Sequence, residues 1–133
     1  MNNTVHRDRA TDLGVVRINN EAIATIASIA ALEVKGVHKV GGGIKRALAE
    51  VFFRRGPSRG IKIMMKDSEI KLVISITVEY GIDISRVADE VQDNVKRAVE
   101  RMAGLIVSEV DVIVDGVHAP SVYDKEKRRG AVI

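Results

Sequence analysis

The sequence predicts an α+β domain: a two-layer sandwich in which a mixed β-sheet carries two main helices on one face, together with a short third helix. Three observations lead there. Leu72, Ile74, Ile76, Val78 and Tyr80 occupy every second position, the period of a strand with one buried face. After Gly81 the period changes. Ile84, Val87, Ala88, Val91, Val95, Ala98, Val99 and Met102 recur at three- and four-residue steps, the inner stripe of an amphipathic helix of about five turns. Gly104 then stands where a helix C-cap favours a left-handed residue, and alternation resumes in Val110, Val112 and Val114. Strand, helix and strand follow one another without room for long loops.

The preceding elements can be justified in order. Residues 1–12 are polar and unpatterned, a flexible N-terminus. Gly14 to Ile18 reads as a short strand, and Asn19 or Asn20 is placed to cap a helix through a side-chain oxygen. That helix, Asn20 to Val34, holds Ala22, Ile23, Ala24, Ile26, Ala27, Ile29, Ala30 and Ala31. It has almost no polar face, so it must be covered on two sides, by the sheet and by either another helix or another subunit. Ile23, Ile26, Ile29 and Ala30 are the candidates for a self-association contact. Lys35-Gly36 ends the helix, and Val37 to Val40 forms a second short strand.

Gly41-Gly42-Gly43 lacks the spacing and the Lys-Ser/Thr pair of a phosphate-binding loop and reads as a turn. Ile44 to Phe53 has the apolar side of the short helix, and Gly56-Pro57-Ser58 marks a turn. Ile61, Ile63 and Met65 alternate with Lys62, Met64 and Lys66 in a strand that the Asp67-Ser68-Glu69 turn folds back on Lys71–Tyr80 as a hairpin. From Gly116 the pattern is lost. Residues 13–117 therefore form a single domain, and 118–133 a flexible charged C-terminal tail.

Composition limits the chemistry. The chain has 133 residues with no Cys and no Trp, two Tyr and two Phe. Disulfides, thiolate zinc sites and Cys nucleophiles are excluded, and stacking platforms for single-stranded nucleic acid are hard to assemble. The start has no apolar run like that of a secretory signal, and the Ala22–Leu32 run is far below the ~20 residues needed to cross a bilayer. A cytoplasmic protein, peripheral at the membrane if it meets one, is expected.

No catalytic residues, metal ligands, cofactor or small-molecule substrate emerge. His6, His38 and His118 are scattered, with no helix or strand spacing suited to a metal. No serine lies in a nucleophile elbow, and Glu79 beside Tyr80 fits the ordinary charged outer face of a strand. Charge distribution says more. Lys45, Arg46, Arg54, Arg55, Arg59, Lys62 and Lys66 give the segment 44–66 a net charge of +6 on a chain of net +3. This basic patch suits anionic lipid, phosphate, or an acidic face on another copy; a solvated basic loop is the plain alternative.

Taken in order, the series from Ile18 through Asn20-Glu21-Ala22-Ile23 to Gly36-Val37, then Val78-Glu79-Tyr80-Gly81-Ile82-Asp83-Ile84, Val91-Gln92-Asp93-Asn94-Val95 and Met102-Ala103-Gly104-Leu105, resembles the alkaline shock protein family, the Gls-type envelope stress response proteins. The resemblance spans about Leu13 to His118; the segment 41–60 is richer in arginine than that family's pattern. It implies a cytoplasmic protein without enzymatic activity, linked to cell envelope homeostasis and the general stress response. It also implies self-assembly and tethering beneath the membrane by a separate membrane-protein anchor. The expected function is a self-associating scaffold or adaptor near the inner face of the membrane; the alternative is a small nucleic-acid-binding module using the basic segment.

Overall fold

A computed structural model describes residues 9–41 and 60–119. The short helix expected at Ile44–Phe53 lies outside the described residues. So do Lys45, Arg46, Arg54, Arg55 and Arg59 of the basic patch, and the tail beyond residue 119.

The element order is β1 (Arg9–Thr11), β2 (Gly14–Val16), α1 (Asn20–Leu32), β3 (Val37–Val40), β4 (Ile61–Lys66), β5 (Glu69–Glu79), α2 (Ile84–Ala103) and β6 (Val107–His118). The class is α+β, with a mixed sheet and both described helices packed on one of its faces. β5 is the axis. On one side it runs parallel to β6 over nearly its whole length. On the other it pairs antiparallel with β4 along its first half and with β3 along its second.

The alternation in β5 is the reason it sits at the centre. Ile70, Leu72, Ile74, Ile76 and Val78 are fully buried, and the intervening residues point to the opposite face. Val87, Val91, Val95 and Val99 of α2 are equally buried and meet them in one cluster with Ile23, Ala27, Ala30 and Ala31 of α1. Burial of a few dozen aliphatic groups in this single layer, at roughly 25 cal/mol per Å² of apolar surface, is what holds the sandwich together.

Capping follows the expected chemistry. The Asn19 side chain accepts from the Glu21 amide at 3.0 Å, and Asp83 accepts from the Arg86 amide at 3.3 Å. Gly104 closes α2 at φ 71°, with its amide donating to the Glu100 carbonyl at 3.0 Å. Where α1 ends, the Glu33 amide turns back to the Ile29 carbonyl and the Val34 amide to that of Ala31. The Ala30 carbonyl between them is taken by the Asn94 side chain of α2, which donates at 2.7 Å.

Three features differ from the sequence reading. The strand at Gly14–Val16 does not join the main sheet; it pairs with β1, inside the expected flexible terminus, as a separate two-stranded hairpin. β6 continues through Gly116 and Val117 to His118, where the pattern was expected to have ended. Lastly, β3 and β4 form one edge of the sheet in two pieces. The Gly41 amide donates to the Ser75 carbonyl at 2.7 Å, and the Ser75 amide donates to the Gly60 carbonyl at 2.9 Å. A Cβ on Gly60 would stand 2.5 Å from the Gly41 Cα, so only glycine permits the two backbones to meet so closely.

Candidate functional site

The face of the sheet away from the helices carries the polar chemistry. Opposite residues in a sheet share a face, so the register places Lys62, Val73 and Asp111 in one row and Met64, Lys71 and Glu109 in the next. The Lys71 ammonium bridges Glu109 at 3.2 Å and Asp111 at 3.3 Å. Hydrogen bonds to Glu109 and then to Asp111 raise its pKa. Of the expected basic patch, Lys62 and Lys66 lie on β4, and Lys62 is exposed in a row that ends on an acidic strand.

At the far end of the same face three strands converge on one cluster. Glu79 closes β5, and His118, the last residue of β6, is its direct register partner. His38 sits in β3 where the pairing with β5 slips between Val37 and Lys39, an irregularity of the kind that re-aims a side chain. The His38 Nδ1 lies 3.1 Å from Glu79 Oε2 and the His118 Nδ1 lies 3.1 Å from Glu79 Oε1. The two imidazoles stack with centroids 3.8 Å apart and planes 5° from parallel. An ionised carboxylate only accepts, so each Nδ1 carries the proton it donates. The hydrogen bonds from His118 and then His38 hold the Glu79 carboxyl below its ordinary value of 4.5. The side chains remain 34%, 42% and 42% exposed for His38, Glu79 and His118, so solvent reaches the cluster.

For His38 and His118 this arrangement corrects the reading that the histidines are scattered; His6 lies outside the described residues. His38 and His118 stand 41 and 39 positions from the glutamate they share, and neither spacing carries a local signal. The available hint was the outward phase of Glu79 on β5; pairing it with His118 needed the parallel register. Among the described residues, His38, Glu79 and His118 are the group of three ligand-type side chains whose donor atoms all lie within 4.8 Å of one another.

The second candidate surface is the outer side of α1. Of the four residues proposed for self-association, Ile23 and Ala30 are buried in the core and Ile26 is half-buried against it. Ile29 faces out at 53% exposure, and Leu32, one turn on, at 46%. Next to them a shallow groove between the end of α1 and α2 is lined by Glu33, Lys35, Asp93 and Arg97; it is open and mixed in charge. No described helix is long and apolar enough to cross a membrane.

Comparison with known proteins finds similar chains over most of this one's length. YqhY of Bacillus subtilis is 33% identical over 112 residues, covering 84% of this chain and 82% of its own. YloU of the same organism is 36% identical over 109 residues, covering 80% and 91%. Spy1535 of Streptococcus pyogenes is 27% identical over 108 residues, covering 80% and 81%. Among solved structures, a histidine-to-alanine variant of the MamM C-terminal domain aligns with a TM-score of 0.45 at 18% identity, covering 72% of this chain and 95% of that one. A copper form of another variant aligns with the same TM-score and identity. The family model that matches covers residues 8–119 and is described by a cell envelope-related function. On that match, and on its two Bacillus relatives, the chain belongs to the alkaline shock protein 23 family.

Proposed function

We propose that this chain acts at the cell envelope as a non-enzymatic, self-associating scaffold or adaptor near the inner face of the membrane, held there by a partner protein. The family's envelope-related description supports the setting. The observation that carries the mode of action is the outer stripe of α1, where Ile29 and Leu32 stand exposed one turn apart. Adjacent apolar side chains on a helix face are the ordinary makings of a helix-to-helix contact between copies.

Sedimentation velocity from micromolar to millimolar protein tests this reading. The wild-type chain is expected to associate with concentration, and Ile29→Glu with Leu32→Glu is expected to remain monomeric with unchanged circular dichroism. A wild-type chain that stays monomeric throughout, or a double variant that associates equally well, refutes it. The nucleic-acid alternative has less support, since exposed Lys62 shares its row with Asp111, and Lys71 is occupied by two carboxylates.

A further inference from the structure

We propose that His38, Glu79 and His118 form a binding site for one divalent first-row transition ion, with zinc the best-suited member of the class. The donor set is two imidazole nitrogens and one carboxylate oxygen, which matches borderline ions and not magnesium or calcium, whose sites are built of oxygen.

Geometry supports the assignment. Ligand atoms about 2.0–2.2 Å from a zinc ion stand roughly 3.0–3.5 Å from one another, depending on coordination number. The two Nδ1–carboxylate separations here are both 3.1 Å, one to each oxygen of Glu79, and the three ligand groups offer atoms that all lie within 4.8 Å of one another. The two rings are stacked in parallel planes, so for both Nδ1 lone pairs to meet one ion the imidazoles rotate out of the stack, a movement of exposed side chains that leaves the strands in place. Each imidazole shifts its remaining proton to Nε2 as its Nδ1 lone pair turns to the ion. Exposure of all three side chains leaves an entry path and room for water in the remaining coordination positions.

The three ligands also come from three different strands, each fixed by backbone pairing. Glu79 and His118 are register partners on β5 and β6. β3 is joined to β5 by only a few pairs and a slipped register. An ion would therefore tie both flanking strands to the central one at the end of the sheet, with its largest effect on β3.

The test is isothermal titration of the full chain, freed of any affinity tag and dialysed against chelator, with zinc chloride and then cobalt chloride at neutral pH. One ion per chain is expected, with cobalt giving the visible absorption of a nitrogen–oxygen site. Glu79→Gln should weaken binding by more than about tenfold, and His38→Ala with His118→Ala should abolish saturable binding. Zinc should raise the thermal midpoint of the wild type by mass action and slow hydrogen exchange at the β3 amides, and it should do neither in the double variant. Circular dichroism without metal establishes that the variants are folded; should the double variant be unfolded, Glu79→Gln carries the test alone. Absence of saturable binding overturns the proposal, as does binding that survives these substitutions or an equal response to magnesium.

Discussion

Asn94 is a polar residue on the half-buried side of α2, and its removal tests how the two helices are joined. Its Nδ2 donates to the Ala30 carbonyl at 2.7 Å and approaches Glu33 Oε1 at 3.4 Å. The last carbonyls of a helix have no partner within the helix. At this terminus the neighbouring carbonyls of Ile29 and Ala31 are met by backbone amides, leaving Ala30 to Asn94. Asn94→Ala removes the donor and leaves a partly buried acceptor, which costs about 1–3 kcal/mol. Partial access of water to the site favours the lower half of that range. For a chain of this size the loss corresponds to a fall of roughly 3–8 °C in thermal midpoint. Urea denaturation followed by circular dichroism is the assay, with an unchanged slope expected because the surface exposed on unfolding is the same. Asn94→Asp should be worse than alanine, because it sets a carboxylate against a carbonyl and against Glu33. A loss below about 0.5 kcal/mol for alanine, within the usual effect of a surface substitution, or an aspartate variant as stable as the wild type, refutes the reasoning.

Glu100 accepts from the Val107 amide at 2.9 Å and from the Lys96 ammonium at 3.0 Å, and these bonds, the amide first, hold its carboxyl below the ordinary 4.5. A carboxyl whose pKa is lowered on folding stabilises the protein fully above 4.5 and loses that contribution as the pH falls through the lower folded value. Thermal midpoints across acid pH should therefore fall more steeply in the wild type than in Glu100→Gln, and parallel profiles would count against the role. Ile74 and Val73 are neighbours on β5, the first fully buried and the second on the open face. Ile74→Ala should cost about 2–5 kcal/mol in urea denaturation and Val73→Ala about 1 kcal/mol or less, and comparable losses would place the core wrongly.

The parts of the fold that were legible in the sequence are those where a local pattern and tertiary burial coincide. The two-residue period of Leu72 to Val78 and the helical stripe of Val87 to Val99 are both the buried faces of their elements. Asn19 and Gly104 cap where their chemistry requires. β1 was missed because Arg9-Ala10-Thr11 carries no apolar alternation; its pairing depends on the tight turn before Gly14. The end of β6 was missed because the register slips between Val114 and Gly116, which breaks the phase of alternation while the strand continues. Of the candidate site, only the outward phase of Glu79 on β5 could be read locally. A parallel register brings His118 to Glu79, and a slipped edge strand brings His38. For α1, composition indicated two covered sides without telling them apart, so Ile23 and Ala30, which serve the core, were grouped with the exposed Ile29.

The meeting of Gly41 and Gly60 beside Ser75 has a consequence for how this domain can diversify. Gly41 and Gly60, the described residues on either side of 42–59, meet at one point of the sheet, so the two ends of that stretch are held together whatever lies between them. The entropy of bringing together the two ends of a flexible stretch of chain rises only with the logarithm of its length. Additions, deletions and changes of charge in that stretch therefore load little strain on β3, β4 or the helices behind them. The sequence of this stretch is free to change at a rate the core does not limit.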